Sequence, residues 1–229
     1  MNEGVLYRRN RPLGVVGTVL THFWFKMFGT MGFTLCFFAA YLFLLRHPAS
    51  PVSLIPTTWP DAAIGFNPAA LPIYLSLWFY VSLPPVLMLT RAAIIGYGAR
   101  VAVPCLIGLA VFYFWPNAVP PADIDWARYP GVAFLKSVDM AGNACPSLHV
   151  ATAVFSCVWL HWRLRFLRAG RWLLALNVVW CVAIAYSTMA VKQHVAIDVL
   201  AGTLLGLLAA WGTGLRAHAG RWLERPVSA

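Results

Sequence analysis

Ser187-Thr-Met-Ala-Val-Lys-Gln-His194-Val-Ala-Ile-Asp198 places an imidazole, a cation and a carboxylate where a long apolar run begins. His194 and Asp198 are four residues apart. If the run after Gln193 is helical, that offset is one turn, so the carboxylate shares a face with the imidazole and can hold one ring N–H. The other ring nitrogen is then free to attack. A second stretch, Cys145-Pro-Ser147-Leu-His149, has the same form, a polar cluster at the mouth of another apolar run. Two histidines, a hydroxyl, a lysine and a carboxylate make a set suited to nucleophilic phosphoryl transfer. Alone, a His-x-x-x-Asp in an apolar segment is equally well a structural pair tying two helices. Ionisable groups inside a span are costly, and the Pro-Ser-x-His cluster beside this pair favours the catalytic reading.

Outward from these clusters the chain is apolar almost throughout. Its 229 residues are 61% hydrophobic and 10% charged, with a mean hydropathy of +0.72. That is more apolar surface than a soluble core of this size can bury. The composition predicts an all-α, polytopic membrane protein: one domain over residues 1–229, with six transmembrane helices in one bundle. The spans are expected at about 23–45, 71–89, 101–115 or from an earlier start, 147–162, 172–190 and 195–215. The first is too long for the apolar core of a signal peptide and is read as an uncleaved span, with residues 15–26 as an interfacial lead-in helix. Pro48, Pro51, Pro56, Pro60 and Pro68 deny a long helix to residues 46–70. Pro84-Pro85 is expected to kink the second span, and Gly96 and Gly98 to form a short turn between Arg91 and Arg100. Residues 116–146 form the one substantial aqueous segment, an outer-face loop leading into the site.

The net charge of +10 and a pI near 9.8 could suggest nucleic acid. The basic residues, however, sit beside apolar runs, where topology and anionic lipid headgroups account for them, and no nucleic-acid partner is expected. With an inside amino terminus and six crossings, Arg8, Arg9, Arg11, Arg91, Arg100, Arg163, Arg165, Arg168, Arg171, Arg216, Arg221 and Arg225 fall on the cytoplasmic side. Only Arg46, Arg128, Lys136 and Lys192 fall outside. The same assignment puts both polar clusters on one side, the outer face. The expected location is the inner (plasma) membrane of a bacterium, with both termini cytoplasmic and the site at the periplasmic face. Cys36, Cys105, Cys157 and Cys181 lie in apolar runs as buried thiols, and only Cys145 lies in a polar loop. No disulfide is expected within an aqueous part of the chain, no metal-ligand spacing occurs, and nothing in the sequence specifies an oligomeric state.

Pro146-Ser147-x-His149 followed by Ser187-x6-His194-x3-Asp198 resembles the type 2 phosphatidic acid phosphatase superfamily, which comprises membrane lipid phosphatases, lipid phosphotransferases and related acid phosphatases. The family pattern is Lys-x6-Arg-Pro, then Pro-Ser-Gly-His, then Ser-Arg-x5-His-x3-Asp. Here Leu148 stands at the glycine, Thr188 stands at the arginine of the third segment, and no Lys-x6-Arg-Pro occurs. The Ser-Leu-His form is similar to the branch containing inositol phosphorylceramide synthases. The resemblance implies that His194 attacks phosphorus to give a phosphohistidine while Asp198 fixes its tautomer. His149 would protonate the leaving oxygen and then activate the acceptor. Lys192, Ser147 and the N–H groups opening the helix after Pro146 would hold the non-bridging oxygens. Arg128 is the nearest analogue of the absent first segment, with Lys136 a weaker one. No metal or cofactor is implied. The substrate would be a lipid phosphate: water as acceptor makes a phosphatase, an alcohol a phosphotransferase. A non-catalytic lipid-binding or lipid-moving protein is the alternative from another class, and the intact His149, His194 and Asp198 argue against it.

Overall fold

Residues 15–139 and 142–214 are described by a computed structural model. Arg8, Arg9, Arg11, Arg216, Arg221, Arg225 and both termini lie outside the described residues. A short helix α1 (Val15–Leu20) breaks at His22, whose φ of 56° is left-handed, and α2 (Phe23–Arg46) follows as the first long apolar helix. The proline-rich stretch holds only a two-residue strand β1 (Ser53–Leu54), α3 (Trp59–Ala63) and a 3-10 turn (Pro68–Ala70). Then come α4 (Leu71–Leu75), α5 (Leu77–Val86) and α6 (Arg91–Phe114). Strand β2 (Asn117–Ala118) pairs in parallel with β1, and α7 (Pro130–Asp139) lies in the following loop. The chain finishes with α8 (Leu148–Phe166), α9 (Arg171–Ala190) and α10 (Ala196–Gly212).

One expectation is corrected. The third long helix takes the earlier start, at Arg91, so Gly96 and Gly98 lie inside α6 and form no turn. Thr90 caps it by accepting the Ala93 N–H on its hydroxyl at 3.1 Å, and Arg100 donates to the Gly96 carbonyl at 2.6 Å. Each interior glycine costs about 1 kcal/mol relative to alanine. Burial of Ala93, Ile94, Tyr97 and Val101 in one core cluster offsets that cost. Pro84 and Pro85 lie in the last turn of α5, which ends at Val86. A discontinuity falls at Ser76, between α4 and α5. There the serine hydroxyl donates to the Ile73 carbonyl at 2.6 Å and accepts the Trp180 indole N–H at 2.9 Å.

Four helical segments are long and apolar enough to cross a membrane: Phe23–Arg46, Pro68–Val86, Arg91–Phe114 and Arg171–Ala190. The 17-residue α10 is shorter, and α8, ending with Arg163 and Arg165 in its last turn, is not among them. Helix α8 is the centre of the bundle and packs on α5, α6, α9 and α10. Its buried side includes Val150, Ala151, Ala153, Phe155 and Leu160. A helix surrounded by other helices needs less hydrophobicity than one facing lipid, which is why its sequence is the least apolar of the set.

Contacts at the helix ends show that α2, α4–α5, α6, α8, α9 and α10 run alternately up and down. At one end Tyr41 of α2 donates to Asp139, β2 follows α6, and α8 and α10 begin. At the other end Lys26 donates to the Val86 carbonyl at 2.7 Å and Arg163 to the Leu87 carbonyl at 3.1 Å. Two buried cations thereby satisfy carbonyls at the C-terminal end of α5, where the helix dipole also favours positive charge. The described acids, Asp61, Asp123, Asp125, Asp139 and Asp198, lie in the first end or its loops. Lys26, Arg91, Arg163, Arg165, Arg168 and Arg171 lie at the second.

The tightest helix contact is α8 against α10, and glycine makes it possible. A Cβ on Gly202 would collide with the Ser147 backbone oxygen, and one on Gly206 would come within 2.5 Å of the Ala151 oxygen. This Gly-x-x-x-Gly face lets two backbones touch, the usual device where apolar helices gain nothing from excluding water.

Candidate active site

Asp198 occupies the first turn of α10 and folds back over the helix start. Its Oδ2 accepts the Val195 N–H at 2.9 Å and lies 3.3 Å from His194 Nδ1. The carboxylate is fully buried, where the partial positive charge of the helix N-terminus favours it. With Nδ1 turned to Asp198, His194 presents Nε2 on the far side, 3.4 Å from Nδ1 of His149. The two ring centroids are 5.5 Å apart. Segments 45 residues apart in sequence therefore meet at one point.

His149 reaches that point because the start of α8 is pinned on two sides. Asn117, the buried first residue of β2, accepts the N–H groups of Ala144 and Cys145 at 2.8 and 2.7 Å and donates to the Cys145 carbonyl at 2.9 Å. Ser147 caps α8 by accepting the Val150 N–H at 3.2 Å, and its own N–H donates to the Asp198 carbonyl at 3.1 Å. The starts of α8 and α10 are thus joined through backbone. Leu148, at the position of the family glycine, packs on Gly108 of α6, whose missing side chain makes the room. Burial, with the charge of Asp198 second, pushes the Cys145 thiol up to about 11. At neutral pH it is a protonated thiol and no competitor for His194 as nucleophile.

The turn before His194 is held by a segment the sequence did not implicate. Ser187 and Thr188 donate their hydroxyls to the Ile184 and Ala185 carbonyls at 2.7 and 2.8 Å, so both are engaged within α9. Lys192 has a left-handed φ of 57° and donates to the carbonyls of Asp61 and Ile64 at 3.2 and 2.6 Å. Asp61 completes the clasp by accepting the Ala196 N–H at 2.8 Å on one oxygen and the Thr58 N–H and hydroxyl on the other. Gln193 is buried, and its side-chain amide has no hydrogen-bond partner.

His149, His194, Asp198 and Ser147 are therefore brought together. Lys192 is joined to them through the chain, but two of its three ammonium hydrogens are directed to the α3 loop. Arg128 is not brought in: its side chain is 77% exposed and bonds Asp125 at 3.0 Å, as a solvated loop pair. Lys136 does touch the turn. Its ammonium donates to the Lys192 carbonyl at 2.9 Å and lies 4.6 Å from the centre of the Trp126 ring. Burial lowers its pKa, with Asp139 partly opposing. Tyr74 was missed altogether, although its hydroxyl lies 2.7 Å from His149 Nε2. One tyrosine in an apolar run carries no sequence signal of such a contact. Among the described residues, no group of three or more His, Cys, Asp and Glu is placed to hold a metal ion.

Fold and site together define an apolar helical bundle with a histidine-centred polar site at one end. Residues 90–219, more than half of the chain, match the PAP2 superfamily, and the chain belongs to that superfamily. Membership supports, broadly, an enzyme of the phosphatase or phosphotransferase type. No curated protein and no solved structure matches the chain.

Proposed function

We propose that this protein is an integral membrane lipid phosphatase, cleaving a phosphate ester or anhydride of a lipid through a phosphohistidine. The observation that carries the reading is the 3.4 Å approach of His194 Nε2 to His149 Nδ1, with Asp198 behind the first ring. His194 Nε2 forms the bond to phosphorus as the bond to the leaving oxygen breaks, and Asp198 stabilises the cationic ring. The proton on His149 Nδ1 passes to the leaving oxygen. His149 then takes a proton from the water that discharges the intermediate. A phosphorus entering between nitrogens already in contact must part the two rings.

The non-bridging oxygens are assigned to the N–H groups of Leu148 and His149, the hydroxyl hydrogen of Ser147 and the remaining hydrogen of Lys192. Lys136 replaces Arg128 as the loop cation, because it bonds the turn that carries His194. On this basis Lys136→Gln is expected to lower kcat/KM roughly tenfold to a hundredfold. Arg128→Gln changes it less than about twofold, as for an exposed pair. The opposite ranking in side-by-side assays would return the role to Arg128.

The six helical segments are read as six crossings, with α8 and α10 sheltered by their neighbours. The end rich in arginine and free of described acids faces the cytoplasm, together with both termini. The site then opens at the outer face of a bacterial inner membrane. Because the acceptor enters after His194 is phosphorylated, an alcohol could replace water, as in the inositol phosphorylceramide synthase branch that Ser-Leu-His resembles. The test is release of labelled phosphate from a panel of lipid phosphates in detergent, with and without candidate alcohols. Label released as phosphate supports the phosphatase, and label moved to a new lipid supports the transferase. Neither product from any substrate would remove the enzymatic reading.

A further inference from the structure

Each imidazole of the site is held at the nitrogen that faces away from the other. For His194 the holder is Asp198, on Nδ1. For His149 it is Tyr74, whose hydroxyl is 2.7 Å from Nε2 and whose ring centroid lies 5.0 Å from the imidazole, tilted by 35°. Tyr74 is 2% exposed. It sits in α4, which the break at Ser76 sets off from α5 and which packs with Ala70 on Ala190 and Val191 at the end of α9. The Asn67 N–H, donating to the Ala190 carbonyl at 2.9 Å, fixes the approach to α4. A buried phenol with this one hydrogen-bond partner among the described residues, on a helix anchored beside the turn that carries His194, is a directed contact. Tyr74 also lies outside residues 90–219, so the family match does not supply it.

We propose that Tyr74 is the positioning residue for the general acid, an inference that rests on the phosphatase reading above. Its oxygen accepts the Nε2–H of His149 in both the charged and the neutral ring. The proton that leaves and returns is then always the one on Nδ1, the nitrogen that faces His194. During formation of the phosphohistidine, the Nδ1 proton goes to the leaving oxygen and the N–H at Nε2 stays on Tyr74. During discharge, Nδ1 takes a proton from water and the same bond persists. A neutral phenol does this without the second carboxylate that would hold the proton on His149 too tightly to give it up.

The experiment compares kcat/KM of wild type and Tyr74→Phe on a long-chain alkyl phosphate and on its 2,2-difluoro analogue, whose alkoxide leaves more readily without a proton. The phenylalanine ring keeps the packing and removes only the hydroxyl. Tyr74→Phe is expected to lose roughly 10- to 100-fold on the alkyl phosphate and at least about fivefold less on the difluoro compound. His149→Gln is expected to show the same skew. The ratio of the two rates does not depend on how much of the variant is folded, so a loss of stability cannot imitate it. Equal losses on both substrates, or no loss on either, overturn the role of Tyr74. Undiminished release by His194→Ala would instead overturn the phosphatase reading itself, and the two failures are therefore distinct.

Discussion

His194→Ala is expected to lower phosphate release from a lipid phosphate by roughly 10⁴-fold or more, about 5 kcal/mol of transition-state stabilisation. No other described side chain can take over the attack. His149 is the one imidazole in contact with it, and its far nitrogen is held by Tyr74. The Cys145 thiol stays protonated, pushed up to about 11 by burial. The same variant should trap no phosphate stable to alkali and labile to acid when a labelled substrate is quenched during turnover, whereas wild type should. Loss of the ring also leaves the buried Asp198 without its histidine, so thermal stability should be followed alongside. Its carboxylate keeps the Val195 N–H, which limits the damage. Release within tenfold of wild type, or trapped phosphate persisting on the variant, would show that His194 is not the nucleophile.

Gly202→Val should be nearly as severe, although this glycine bears no functional group. Its Cβ would meet the Ser147 oxygen and approach the Ser147 Cβ to 3.2 Å, so the neighbour that must yield is backbone. Gly202 is one turn beyond Asp198, and Ser147 is two residues before His149. A wedge there separates the starts of α8 and α10, and with them the two imidazoles. Overpacking of this kind costs about 1–3 kcal/mol. Misplacing the reacting groups by about 1 Å costs on the order of 10²-fold in rate. The expected result is a lower melting temperature with a larger loss of activity than folding alone explains. Gly29→Ala on α2, with nothing within 4 Å of the new Cβ, should leave activity unchanged. Wild-type activity in Gly202→Val would mean that α8 and α10 are not in backbone contact.

The local parts of the site were legible in the sequence. A four-residue spacing at the start of a helix places two side chains on one face whatever else the chain does, and Asp198 indeed caps α10 while facing His194. Four apolar segments came out long enough to cross a membrane because hydrophobicity over such a length leaves no other burial. The misreading was also local in origin. Gly96 and Gly98 signal a turn only when no packing rewards a helix, and the core around Tyr97 and Val101 does so here.

Sequence alone determined most of the element types, the pairing of His194 with Asp198 on one helix face, and the second polar cluster that meets them. Tertiary structure decided the remainder: Lys136 touches the turn before His194 while Arg128 stays in water, Asp61 clasps the loop, and Tyr74 meets His149. The physical reason is range. Helical periodicity and hydropathy act over a few residues, so they can be read from neighbours in the chain. A contact such as Tyr74 to His149, 75 residues apart, exists only because α4, α8 and α9 settle at particular depths and angles, which their packed surfaces set jointly.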